Sequence, residues 1–228
     1  MKPWFDFGFA LEILPRLLSA TWISVVLAVL SFALAVMFGI VLLLLRRVKF
    51  RLVGRSVGAF IEFIRSTPLI VQVYCLFFVL PEAGIILDPY TTGVLGLSIH
   101  YGCYMSEVFR SGLDSLPQGQ RDASTALGFS ARDTYLRIIV PQTIPRILAP
   151  SGNFLIYLAK SSPILATIGV AEIMFIAKDI GQENFRYLEP MTIVGIIFLI
   201  LSAVGARCIR FAEAAFGRNW NQKEVPDV

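Results

Sequence analysis

Charge is scarce in this chain: Asp, Glu, Lys and Arg make up 16% of its 228 residues, against about 25% in soluble domains. That shortage excludes an ordinary water-soluble domain. Histidine occurs once, at His100, so no histidine cluster is available to hold a metal. The three cysteines, Cys75, Cys103 and Cys208, are odd in number and lie within or at the end of apolar runs. They form neither a disulfide framework nor a metal-ligand spacing, and read as buried small hydrophobes. No glycine is followed by lysine, which rules out the phosphate-binding loop G-x-x-x-x-G-K-[ST]. Nothing resembles a nucleophile–His–carboxylate set. The sequence therefore carries no catalytic residues, no metal site and no cofactor of its own.

What the chain has instead is apolar sequence, 56% of residues, at a mean hydropathy of +0.72. A membrane-crossing helix needs about 20 mostly apolar residues. Leu17 to Leu45 is free of charge and bounded by Arg16 and Arg46; Val57 to Leu80 is interrupted only by Glu62 and Arg65. Thr91 to Phe109 carries Glu107 near its end, Ile147 to Val170 contains Lys160, and Met191 to Cys208 is uncharged until Arg207. The expectation is an all-α integral membrane protein of one domain over residues 1–228, with five transmembrane helices at 17–45, 57–80, 91–109, 147–170 and 191–208.

Five crossings put the termini on opposite sides. Arg46, Arg47, Lys49, Arg51 and Arg55 follow the first span; Arg110, Arg121, Arg132, Arg137 and Arg146 lie between the third and fourth; Arg207, Arg210, Arg218 and Lys223 end the chain. The opposite side has only Lys2, Arg16, Lys178 and Arg186. By the positive-inside rule the C-terminus is cytoplasmic and the N-terminus outside. The net charge of +4 thus reports topology rather than a nucleic-acid partner. Residues 1–16, with Trp4, Phe5, Phe7, Phe9, Leu11 and Leu14, read as an interfacial helix on the outer surface. The first span reads as a retained anchor, because its apolar run is too long for a cleaved signal.

Two spans contain one pattern: Arg65-Ser66-Thr67-Pro68-Leu69-Ile70 and Lys160-Ser161-Ser162-Pro163-Ile164-Leu165. Each is a cation, two hydroxyls, a proline and two aliphatics. The proline removes an amide hydrogen and frees a carbonyl one turn earlier, and irregular backbone in a membrane is tolerated where it is buried or lines a cavity. Broken helices near the bilayer middle are the usual make-up of a transport site, so Arg65, Ser66, Thr67, Pro68, Lys160, Ser161 and Ser162 are candidate pathway residues. The alternative is a pair of kinks whose cations snorkel to the surface. His100, in the middle of the third span, is grouped with the pathway, although a hydrogen-bonded packing role is the first reading of a lone histidine there. Glu107 is expected to pair with Arg110 one turn on.

Between the third and fourth spans lies a segment that is neither span nor short loop. Pro117 precedes a helical stretch from Gln118 to Leu127, Gly128 fits the left-handed position that ends a helix, and Phe129 follows as an apolar contact. Ser130-Ala131-Arg132-Asp133 restarts a second helix with a capping-box-like pattern, expected to run to Pro141. Tethered between two spans, residues 118–137 read as a docking surface for a cytoplasmic partner rather than a DNA-reading helix-turn-helix.

Asp122-Ala123-Ser124-x-x-x-Gly128, with Pro141 thirteen residues after the glycine, resembles the E-A-A-x-x-x-G loop of ABC importer permeases. Glu62-Phe63-Ile64-Arg65-Ser66-Thr67-Pro68-Leu69-Ile70-Val71-Gln72 is similar to the second-helix signature of the polar amino-acid uptake branch. Glu107-Val108-Phe109-Arg110-Ser111-Gly112, Pro117-x-Gly119-Gln120 and Leu136-x-Ile138-Ile139-Val140-Pro141-Gln142 fit that branch too. The resemblance implies a multi-pass permease of a bacterial inner membrane. Its implied partners are a dimer of cytoplasmic ATP-binding subunits, a second permease (identical or homologous) and a periplasmic or extracellular substrate-binding protein. ATP and Mg would then sit on the partner ATPase. It also implies that Asp122, Ala123, Ser124, Ala126, Gly128 and Phe129 form the coupling helix. Asp122 and Ser124 depart from the family's Glu and Ala, and Ser161-Ser162-Pro163 lacks the Asp common in that position. Phe185 to Thr192, with His100-Tyr101, looks like permeases for ectoine and hydroxyectoine. Both solute classes carry a carboxylate that Arg65 or Lys160 could meet. The rival reading is a secondary transporter or channel that works without an ATPase; most of these have more spans and internal repeats.

Overall fold

The computed structural model describes residues 4–221, with side chains described as far as residue 215. Lys2 and Lys223, used above to orient the chain, lie outside the described residues, as does the side chain of Arg218. Every regular element among the described residues is helical.

The first helix, α1, runs from Phe7 to Arg46. Asp6 caps it, its carboxylate accepting from the Phe9 N–H at 3.1 Å. At 1.5 Å per residue its 40 residues span about 60 Å, twice the roughly 30 Å of hydrocarbon in a bilayer. The separate interfacial helix expected over residues 1–16 is therefore not formed. Once Asp6 has started the helix, the chain continues through Pro15 into the apolar run without a break.

Helix α2 spans Arg51–Ser66, and α3, Leu69–Tyr74, continues as a π turn over Cys75–Val79 and a 3-10 turn over Leu80–Ala83. Helix α4 spans Pro89–Asp114, α5 Gln118–Ala126 and α6 Ala131–Asp133, the last running on as a π turn over Thr134–Ile139. Helix α7 covers Val140–Ser161 and passes into a 3-10 turn over Ser162–Ile168; α8 covers Ile173–Asn184 and α9 Leu188–Asn221. The expected stop at Pro141 does not occur. The π turn widens the backbone just ahead of the proline, and Pro141 falls at the start of α7, where a missing N–H costs little.

Two helices, Phe7–Arg46 and Leu188–Ala215, are long and apolar enough to cross a membrane. Arg51–Ser66 and Leu69–Ala83 pass the same test only as a pair bent by 107°. Helices α4 and α7, of 26 and 22 residues, have the length for a bilayer but a more polar composition. Their polar groups are enclosed by protein: Thr92, Ser98, His100 and Ser106 on α4 and Thr143 on α7 are all buried. Interior helices of a bundle need not be as apolar as those that meet lipid.

The bundle is built around α1 and α4. Ser24, Ala28, Ser31, Ala35 and Gly39 recur every three or four residues and are all buried. Such a small-residue stripe lets helix backbones approach closely. A Cβ on Gly102 would stand 2.7 Å from Phe38 Cδ1 and 3.2 Å from the Ala35 carbonyl, so only glycine fits there. Leu97, Met105, Val73, Leu158 and Leu165 complete the core around this seam, while Leu17, Ile173, Ala177 and Ile180 form a second core under α8. Of the cysteines only Cys103 is buried; Cys75 and Cys208 point outward from helices whose outer faces are apolar, so the expectation of burial fails for those two.

Candidate functional site

The first proline motif breaks the chain between α2 and α3. Thr67, preceding proline, is extended at φ −106° and ψ 144°, as pre-proline sterics require. Thr67 Oγ1 lies 3.0 Å from the Phe63 carbonyl and 3.2 Å from that of Ile64. The end of α2 would still leave carbonyls without partners, and Gln72 meets them from the next turn. Its Nε2 donates to the Ile64 carbonyl at 2.7 Å, the Thr67 carbonyl at 3.1 Å and Thr67 Oγ1 at 2.7 Å. Its Oε1 lies 3.1 Å from His100 Nδ1 on α4. One side chain thus bridges the break and ties it to the central helix.

The second motif behaves differently. Helix α7 narrows into the 3-10 turn Ser162–Ile168, which ends at Gly169 with φ +87°. Pro163 falls in the first positions of that turn, where no N–H is needed. Ser161 Oγ is 2.7 Å from the Tyr101 hydroxyl. Ser162 is fully buried and faces away, its Oγ 3.4 Å from Glu172 Oε2. Glu172, also fully buried, caps α8 by accepting from the Phe175 N–H at 2.9 Å and lies 3.3 Å from Ser24 Oγ on α1. Ser24 in turn accepts from the Ile173 N–H at 3.2 Å.

The second break borders a cavity of about 310 Å³ between α4 and α7, lined by His100, Tyr101, Tyr104, Phe154, Tyr157, Lys160 and Ser161, and the first break touches that lining from outside through Gln72 on His100. Tyr101 and Tyr104 both pack on Phe154, with centroids 5.9 and 6.0 Å apart. The Arg65 guanidinium lies 5.1 Å above the Tyr104 ring, a cation–π distance, and Tyr104 donates to the Arg65 carbonyl at 3.2 Å. Arg65 Nε is buried without a hydrogen-bond partner, and its carboxylate neighbour Glu62 is 3.8 Å away. A larger cleft of about 590 Å³ between α1 and α4, lined by Trp22, Leu30, Tyr90 and their neighbours, is almost wholly apolar and offers a polar solute little to bind.

Of the expected pathway residues, His100, Lys160 and Ser161 line the cavity, Arg65 borders it across Tyr104, and Thr67 supports it through Gln72. Ser66 and Pro68 are not in it: both are exposed, and Ser66 Oγ lies 3.5 Å from Glu62. Ser162 belongs to the Glu172 cluster. Sequence reasoning missed Gln72, Tyr101, Tyr104, Phe154 and Tyr157 as a set. Their signal was present as helical spacing: 100, 101 and 104 on α4, and 154, 157 and 161 on α7, each share a helix face.

Helix α5 ends in a Schellman motif: the Gly128 N–H donates to the Thr125 carbonyl and the Phe129 N–H to that of Ser124, both at 3.0 Å. Gly128 has φ +75°. Asp122, Ala123, Ala126, Gly128 and Phe129 are exposed, so α5 presents them outward. Ser124 does not join that face; it is buried, and its hydroxyl donates back to the Gln120 carbonyl at 2.6 Å. The Ser130 hydroxyl accepts from the Asp133 N–H at 3.1 Å and donates to its carboxylate at 2.6 Å, which starts α6.

Residues 35–216 match the family described as binding-protein-dependent transport system inner membrane component. The chain belongs to that family. The permease is 39% identical over 208 residues to a probable amino-acid ABC transporter permease protein, y4tG, of Sinorhizobium fredii, covering 91% of this chain and 90% of the relative. It is 32% identical over 211 residues to the glutamine transport system permease protein GlnP of Escherichia coli, with 92% and 96% covered. Among solved structures it superposes on an amino acid ABC transporter with histidines at a TM-score of 0.88 and 27% identity, covering 92% of this chain and 99% of that one.

Charge also fastens the permease at both ends of the bundle. At one end Glu107 bridges Arg46 of α1 and Arg110 of α4, and Asp114 takes up both Arg110, at 3.2 Å, and Arg47, at 2.5 Å. Glu107 therefore does more than the expected pairing with Arg110. At the other end Arg186 pairs with Glu189 and with Asp6, at 3.4 Å, and Glu189 accepts from the Asp6 N–H at 3.0 Å.

Proposed function

We propose that this chain is the permease subunit of an ATP-driven importer that moves a polar amino acid or an ectoine-like compatible solute into the cytoplasm by alternating access. The observation that carries this reading is the aromatic cavity between α4 and α7, with Lys160 on its wall and Arg65 stacked on Tyr104 at its rim. The rings offer a polarised apolar surface to the body of the solute, and either cation can meet its carboxylate. The partially covered Arg65, with its Nε unpartnered, is placed for a charge-assisted hydrogen bond. The relatives named for amino acids and glutamine support the solute class.

In this reading five helices cross the inner membrane, the fourth and second being α7 and the bent α2–α3 pair, with the N-terminus outside and the C-terminus cytoplasmic. Asp122, Ala123, Ala126, Gly128 and Phe129 of the α5 turn would dock on a dimer of ATP-binding subunits, which hold ATP and Mg. A second permease, identical or homologous, and a substrate-binding protein complete the assembly.

The test is uptake by reconstituted complexes carrying Lys160→Ala or Arg65→Ala. Loss of a charge-assisted hydrogen bond of about 1.5–3 kcal/mol predicts a fall of roughly 10- to 100-fold in at least one variant while the complex still assembles. Wild-type uptake in both would move the site elsewhere. Reporter fusions should place Phe50 and Ser124 in the cytoplasm and Asp88 and Gln182 outside; an outside signal at Ser124 would overturn the topology.

A further inference from the structure

The end of the bundle where α1 gives way to α2 holds a second polar cavity, of about 610 Å³, lined by Arg46, Val48, Arg51, Gly54, Arg55 and Gly58. No acidic residue occurs in the sequence between Arg46 and Glu62, whereas Arg46, Arg47, Lys49, Arg51 and Arg55 all do. Arg46 is neutralised by Glu107, and Arg47 by Asp114. Arg51 and Arg55 pair with no carboxylate among the described residues. They are one helical turn apart, so each destabilises the other until an anion lies between them.

The glycines shape the cavity. The Arg46 guanidinium lies along Gly58, where an added Cβ would be 3.7 Å from Nε and 3.8 Å from Nη2, and a Cβ on Gly54 would meet the Arg46 carbonyl at 3.0 Å. The floor of the cavity is thus backbone and guanidinium.

Val48 lines the cavity as well, and the sequence neighbours of Arg51 are exposed and apolar. Phe50 is 77% exposed and Leu52 78%, on either side of Arg51. A soluble anion needs no such neighbours, and water makes them costly. A phospholipid accounts for both, its headgroup phosphate between the arginines and its acyl chains beside the two apolar side chains.

We propose that this cavity is a binding site for the phosphodiester headgroup of an anionic phospholipid, held by Arg51 and Arg55 against Arg46. The proposal rests on the membrane-permease reading but on neither its orientation nor its solute. Each arginine contributes about fivefold to anionic-lipid affinity near a membrane surface.

The experiment is native mass spectrometry of the intact detergent-purified complex, titrated with phosphatidylglycerol or phosphatidylcholine. The wild type is expected to retain phosphatidylglycerol preferentially, and R51Q/R55Q to lose roughly 25-fold in its apparent affinity. R51K/R55K, which keeps the charge, should retain most of it. Inorganic phosphate at millimolar concentration should not displace the lipid; displacement would assign the site to a free anion and overturn the proposal. Equal retention of both lipids, or undiminished phosphatidylglycerol binding by R51Q/R55Q, would overturn it as well. So would loss of the ATP-binding subunit from R51Q/R55Q with lipid retention unchanged, since the cavity would then be a protein interface. Uptake is not the readout, so failure of the solute site would leave this result standing.

Discussion

Replacing Gln72 by leucine tests whether the break between α2 and α3 is built by the proline or held by the side chain that spans it. Gln72 donates to three acceptors across the break and meets His100 with its oxygen. Leucine has nearly the same volume and none of these bonds. The two N–H hydrogens and the oxygen of Gln72 amount to about three hydrogen bonds, worth roughly 1 kcal/mol each in net terms. Discounting for partial exposure leaves a cost of about 2–3 kcal/mol. At 2–4 °C per kcal/mol for a chain of this size, the melting temperature of the purified complex should fall by roughly 4–12 °C. Uptake should fall further than stability alone explains, because His100 loses the partner that orients it in the cavity wall. Thr67→Val, which removes one acceptor of Gln72 and the hydroxyl's own bond to the α2 carbonyls but leaves Gln72 its other partners, should have a smaller effect. A double-mutant cycle between Gln72→Leu and His100→Phe should show coupling, since the two residues touch. Wild-type melting and uptake in Gln72→Leu would refute the reasoning and assign the bend to Thr67–Pro68 alone.

Gly102→Ala should destabilise the α1–α4 seam by about 1–3 kcal/mol, because its methyl would overlap Phe38, whereas Gly119→Ala, with open space around it, should be silent or slightly stabilising; thermal melts of the two side by side decide this. Gly128→Val would strain a left-handed residue by roughly 1–2 kcal/mol and re-aim α5, so solute-stimulated ATP hydrolysis by the assembled complex should be abolished while the bundle stays folded; unaltered stimulation would make the segment a linker. Glu189→Gln, which gives up the ion pair with Arg186, should lower the melting temperature of the purified complex; an unchanged melt would show that the pair does not fasten this end of the bundle.

The two proline motifs were legible because they obey backbone rules: a proline brings no N–H, so a helix either starts afresh at it or leaves a carbonyl for another partner. What the two breaks become was not legible. One bends by 107° and the other tightens to a 3-10 turn, and the difference lies in side chains beyond the motifs themselves: Gln72, five residues past Thr67, for the first, and Glu172, ten residues past Ser162, with Ser24 of α1 for the second. Glu172 escaped notice because it falls just past the fourth apolar run, where a carboxylate looks like an ordinary loop residue. Gly128 could be placed from local pattern alone, since a Schellman turn is closed within six residues. Ser124 could not, because on a short amphipathic helix the buried position depends on what packs beneath it. The aromatic cavity was hidden for a related reason: Tyr101, Tyr104, Phe154 and Tyr157 are ordinary apolar-span residues until α4 and α7 are brought face to face.

The buried Glu172 knot constrains how this molecule can move. Its partners come from three stretches of chain: Ser24 in α1, Ser162 after α7, and the first N–H groups of α8. Pulling any one of them away would leave a carboxyl short of partners in apolar surroundings, at a cost of about 1–3 kcal/mol for each polar group stranded. Those stretches therefore travel as one block, with no hinge between them. Ser161, one residue from the knot, carries that rigidity to Tyr101 and so to one wall of the cavity. Both walls, α4 through Tyr101 and α7 through Ser161, are thus tied to the knot, while the bent α2–α3 pair lies outside the lining and touches it through Gln72 on His100 and Arg65 on Tyr104. Of the described elements around the cavity, the α2–α3 pair is the one that no buried carboxyl restrains.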